Sequence, residues 1–124
     1  MKKMLLIALS FLPIGTAQAG DRLNNEQLKA LYTGKTLINE NFKLGPAKTY
    51  FGEDGTVHSK ADSGKERIGK WWIDGDMRCI RWNSKNKDFC VYTEKNDDGT
   101  HSMVHRKTGK KTVLIKETLD GNQL

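Results

Sequence analysis

The chain has 124 residues, with 21 Lys and Arg against 15 Asp and Glu, a formal charge of +6 and a hydrophobic fraction of 36%. That length holds one domain and excludes dinucleotide-binding enzymes, TIM barrels and multi-domain machines, which need far more chain. The positive excess is modest. It favours solubility and a pull toward anionic surfaces, without the density of a dedicated nucleic-acid binder.

Residues 1–19 read as a signal peptide. Lys2 and Lys3 give a positive start, Met4 to Leu12 an apolar run, and Pro13 and Gly15 a break before Ala17-Gln18-Ala19, a small-x-small cleavage site. The apolar run is about half of the ~20 residues that a membrane span needs, and no second run follows, so no membrane insertion is expected. Residues 20–124 are expected to form a single β-rich domain, periplasmic or secreted. Export also argues against nucleic acid as a partner.

A short helix is expected first, capped by Asn24 or Asn25, with Glu26 in its first turn and Leu28, Leu31 and Tyr32 at helical spacing. Gly34 stops it. After Gly34 the pattern turns strand-like, with candidate strands at 35–41, 47–51, 56–61, 67–73, 77–82, 88–94, 100–106 and 111–118. Turn signals separate them, such as Glu53-Asp54-Gly55, Asp74-Gly75, Asp97-Asp98-Gly99 and Thr108-Gly109. The fold class is therefore mainly β. A short N-terminal helix precedes an antiparallel meander of about eight strands, which forms a small barrel or a curved sheet. The Asp-Gly pairs lack the ligand spacing of an EF-hand loop and serve as turns.

The chain has two cysteines, Cys79 and Cys90, and in an exported domain of this size they are expected to form a disulfide. Facing them across a hairpin sets Ile80 against Phe89, Arg81 against Asp88 and Trp82 against Lys87. Alternation then puts Ile80, Trp82, Phe89 and Val91 on the core face, and Met77, Cys79, Arg81, Asp88, Cys90 and Tyr92 on the other. A four-residue loop, 83–86, gives the phase that such a disulfide prefers.

Aromatic residues concentrate mid-chain as the expected barrel core. Trp71 and Trp72 are adjacent, so they point to opposite faces. The outward one is a candidate for recognition unless the helix covers it.

Tyr50-Phe51-x-x-Asp54-Gly55-Thr56-Val57, Gly69-x-Trp71, Gly75-Asp76-x-x-Cys79-x-x-Trp82, Cys90 and Gly121-Asn122 follow one another along the chain. This succession resembles small exported bacterial domains of unknown function. Those domains open with Leu-x-x-Leu-x-x-Gly-x-Thr, matched here by Leu28-x-x-Leu31-x-x-Gly34-x-Thr36. The resemblance covers most of the chain after residue 19 and implies a secreted β-rich domain with a disulfide. It carries no activity and so no catalytic residue. Such domains often end Gly-Asn-Pro-x-x-Leu, whereas this chain ends Gly121-Asn122-Gln123-Leu124.

Two clusters offer chemistry. Strand alternation puts His101, Met103 and His105 on one face, and imidazole with thioether suits copper, with His58 as a fourth contributor. Against this, the first and last of the three stand about 13 Å apart at ~3.3 Å per residue. Arg106, Lys107, Lys110 and Lys111 make a basic hairpin tip suited to an anionic envelope polymer or an acidic protein. Catalysis has no local signature: there is no Gly-x-Ser-x-Gly elbow, His-Glu-x-x-His pair or phosphate-cradling glycine loop. The expected function is a non-enzymatic binding or interaction module, acting on a protein or small ligand through its aromatic surface or barrel mouth. A copper-binding protein is the alternative, and an enzyme of undefined type the third reading.

Overall fold

A computed structural model describes residues 21–124; the signal peptide expected at 1–19 lies outside the described residues. Period-two alternation dominates the chain, and strands follow wherever it runs. In order the elements are β1 (Asp21–Arg22), α1 (Asn25–Tyr32), β2 (Lys35–Asn41), β3 (Gly45–Phe51), β4 (Thr56–Ala61) and β5 (Glu66–Asp74). Then come β6 (Met77–Trp82), β7 (Phe89–Lys95), β8 (His101–His105) and β9 (Lys111–Asp120).

Each of β2 to β9 pairs antiparallel with the next, and β9 returns to pair with β2, closing an eight-stranded up-and-down barrel. Closure leaves no free edge among these strands. β9 carries two register irregularities, one between Ile115 and Glu117 against β2 and one between Lys111 and Val113 against β8. Such bulges bend a strand, and here they let one long strand bridge both neighbours. The short β1 pairs with β7 at Asp21↔Lys95 and Arg22↔Glu94, beyond the reach of β6.

The helix begins on a reciprocal cap. Asn24 Oδ1 accepts from the Gln27 backbone N–H at 2.9 Å, and Gln27 Oε1 accepts from that of Asn24 at 2.9 Å. Gly34 ends the segment at φ +70°, the left-handed region that costs other residues strain, and its N–H donates to the Phe51 carbonyl at 2.7 Å. Leu28 and Tyr32 are fully buried and plug one end of the barrel. The Tyr32 ring meets Phe51 edge-on at 4.8 Å, and Phe51 meets Trp71 at 5.4 Å. Leu23, Leu37, Val57, Ile80 and Ile115 complete this core.

The Tyr32 hydroxyl sits 2.8 Å from Thr93 Oγ1 in the buried interior. Replacing Tyr32 by Phe removes that bond and leaves a buried hydroxyl unsatisfied. The expected cost is about 1–2 kcal/mol, read as a lower Tm.

Cys79 and Cys90 are bonded and directly paired, with Cα atoms 4.0 Å apart. A disulfide suits a compartment outside the reducing cytoplasm. The hairpin register is the expected one as far as Ile80 facing Phe89, and Arg81 Nε donates to Asp88 Oδ1 at 2.7 Å, but Lys87 lies in the loop and does not pair with Trp82. The connecting loop is longer than expected, at residues 83–88. Phe89 consequently lies at the rim, 39% exposed, instead of in the core.

Candidate functional site: the open barrel mouth

In an up-and-down barrel successive turns fall at alternate ends. The turns after β3 and β5 join α1 at the plugged end and carry Glu53, Asp54 and Asp76 with no Lys or Arg. The turn after β7, with Asp97 and Asp98, lies along the outside of β9 beside Lys111 and Phe42. The turns after β2, β4, β6 and β8 form the other end. There Lys43, Lys65, Lys85, Lys87, Arg106, Lys107 and Lys110 stand against Asp62 and Asp88 alone, and Asp88 is bound to Arg81. The mouth turns thus carry a basic excess, and the turns after β3 and β5 an acidic one.

The mouth opens into a cavity of about 230 Å³. Phe51 and Arg78 lie nearest the plug, and Ile80, Trp82, Phe89, Val91, Met103 and Val113 give it an apolar wall. A second lobe of about 150 Å³ shares Asn39, Asn41 and Arg67 with the first and continues along Ser59 and Ala61. Hydroxyls and amides line this side as a ladder. The Asn39 amide nitrogen donates to Thr49 Oγ1 at 3.0 Å, and Thr49 donates to Ser59 Oγ at 3.0 Å.

Two arginines lie on inward positions of neighbouring strands. Arg78 shares its face with Ile80 and Trp82, and Arg67 shares its face with Gly69 and Trp71. Arg78 is only 4% exposed. Its Cζ lies 5.4 Å from the ring centres of both Tyr32 and Phe51, and Nη2 donates to the Met103 sulfur at 3.0 Å. Its Nε has no hydrogen-bond partner among the described residues. Arg67 lies over the Trp82 ring at 4.1 Å, and burial pushes its guanidinium below the ordinary value. The ion pairs among the described residues join Lys35 to Asp120, His58 to Glu66, Arg81 to Asp88 and Lys116 to Glu40. None of them reaches either arginine.

The residues singled out from sequence are dispersed by the barrel. Trp71 points inward, its Nε1 donating to the Gly52 carbonyl at 2.8 Å. Trp72 points outward, 36% exposed, beside Cys79 on the neighbouring strand. Arg106, Lys107 and Lys110 belong to the basic rim. Lys111 leaves them, with Nζ 3.2 Å from Asn96 Oδ1.

The four candidate copper ligands do not converge. His101 and His105 sit at opposite ends of β8. Burial, with the charge of Lys95, holds the His101 imidazole below its usual value. Met103 faces the interior, its sulfur bound to Arg78. His105 Nδ1 accepts from the backbone of Lys107 and Thr108 at 3.1 and 3.2 Å. His58 lies on β4, across the barrel from β8, bonded to Glu66 Oε1 at 2.8 Å. That contact keeps the Glu66 carboxyl below its ordinary range. Among the described residues, no three His, Cys, Asp or Glu side chains gather as a metal site.

Sequence reasoning passed over Arg67 and Arg78. For Arg78 the signal was present, since it alternates in register with Ile80 and Trp82; Arg67 follows Trp71, whose side alternation alone leaves open.

No protein-family model, curated protein or solved structure matches the chain. Its geometry nonetheless defines a class: a closed up-and-down barrel, plugged by a helix at one end and opening at the other through a basic rim into a cup. No helix among the described residues is long and apolar enough to cross a membrane.

Proposed function

We propose that this chain is a non-enzymatic binding module, periplasmic or secreted, that takes a small ligand into the barrel mouth. The supporting observation is the cup itself, a concave apolar wall with a few polar groups placed around it, as small-ligand sites are built. No His, Asp or Glu is among the residues lining its two lobes. The lining offers guanidinium, ammonium (Lys65 and Lys85), amide and hydroxyl groups, which can hold a ligand by hydrogen bonds. The Cys79–Cys90 disulfide, the signal-like residues 1–19 and the resemblance to small exported domains support export.

Val91 lines the cup and is half-buried, so a larger side chain there fills space without breaking the core. Thermal-shift screening against pooled small metabolites is expected to find pools that raise the Tm of the parent protein. At a hundred times Kd, a ligand contributes about 2.7 kcal/mol. The same pools leave Val91→Trp unmoved. A shift of equal size in both proteins, or in neither, defeats the reading.

A further inference from the structure

We propose that the ligand is a monocarboxylate with an apolar body, its carboxylate seated on the Arg78 guanidinium and its body against the cup's apolar wall. This rests on the reading of the mouth as a ligand site. Arg78 lines the cup at 4% exposure, yet Nε donates to nothing among the described residues and Nη2 reaches only a thioether. A thioether is a weak acceptor. A guanidinium so far from water is costly unless an anion completes it. A carboxylate is the charge-assisted acceptor that best answers a guanidinium.

The surroundings select the same charge. Arg67 lines both lobes and lies outside the ion pairs of the described residues. The rim turns carry a basic excess, a field that draws an anion to the mouth. Size and polarity exclude a bare inorganic anion as the natural occupant. The larger lobe holds about 230 Å³, whereas a dry apolar cavity of ~150 Å³ accepts benzene. Ile80, Val91, Val113, Phe89 and Trp82 would face an inorganic ion with nothing to bury.

Calorimetric titration with octanoate, octanol and inorganic phosphate at fixed ionic strength tests this. Octanoate is expected to bind about 10- to 100-fold more tightly than octanol, the value of charge-assisted hydrogen bonds. Phosphate is expected not to displace it. In Arg78→Met the preference for octanoate falls to near unity. The parent's ratio decides the matter even if that variant folds poorly. Equal binding of octanoate and octanol, sensitive to Val91→Trp, overturns the carboxylate assignment and leaves the cup as a ligand site. Displacement of octanoate by phosphate overturns it too. If neither octanoate nor octanol binds and no metabolite pool gives a Val91-sensitive shift, both readings fail together.

Discussion

An Arg78→Met protein is expected to melt above its parent in the absence of ligand. The guanidinium is removed from water at 4% exposure and no carboxylate answers it among the described residues. What it gains are two ring faces at 5.4 Å and one bond to the Met103 sulfur. Ring contacts contribute roughly 0.5–2 kcal/mol, while desolvating an ion without a counter-charge costs several kcal/mol. Methionine is unbranched and polarizable, so it fills much of the same channel and packs on the same rings. The balance favours Met by about 1–2 kcal/mol, and in a domain of this size each kcal/mol moves Tm by roughly 4–8 °C. Arg81→Met is the comparison. Arg81 points outward, half-exposed and paired with Asp88, so its loss moves stability by about 1 kcal/mol or less.

The sign of the Arg78 result separates two roles. A rise in Tm means that the arginine is kept at the expense of stability, as side chains committed to a ligand often are. A fall means that it braces the plug against the barrel floor, and the ligand assignment loses its main support.

The local physics of the chain was legible in its sequence, whereas its closure was not. Cys79↔Cys90, Ile80↔Phe89 and Arg78↔Val91 pair in the register that alternation and the disulfide dictate. The inward Leu28 and Tyr32 likewise follow from spacing, and of the two cap candidates, Asn24 and Asn25, the structure uses Asn24. Which of Trp71 and Trp72 faces inward depends on which surface of a curved sheet becomes the interior, and only the helix plug and the β9–β2 seam decide that. Cys79 shows the same limit. It is on the outer face yet wholly buried, beside Trp72 and bonded to Cys90. Arg78 escaped for another reason. Its parity with Ile80 and Trp82 places it inside, but the ordinary rule for charged residues places it outside. That conflict is itself the signal, because local rules tend to break at functional positions. The charge of the turns is also written in the sequence. The turns after β2, β6 and β8 are net basic and those after β3, β5 and β7 net acidic, while 62–65 is neutral.

Gly69→Ala is expected to be the most damaging single-methyl change in the barrel. Gly69 pairs with Trp82 across β5 and β6. A Cβ there would press into the Arg81 carbonyl and lie 2.8 Å from the Trp82 Cα. These are backbone atoms of a paired strand, so no side chain can swing aside. The strands must part, straining the adjacent bond from the Asn83 N–H to the Ile68 carbonyl, 2.9 Å in the parent. Overpacking of this kind costs about 3 kcal/mol, which lowers Tm by more than ~10 °C. The effect reaches the site, because Trp82 walls the cup and carries Arg67 on its ring. Octanoate binding should therefore weaken in Gly69→Ala even at temperatures where the protein stays folded. Gly45→Ala is the contrast. Its Cβ meets nothing within 4 Å, and only the strain of its φ of +91° remains. A Gly69→Ala protein as stable as Gly45→Ala would show that β5 and β6 do not approach this closely, and the assigned position of Trp82 in the wall would fall with it.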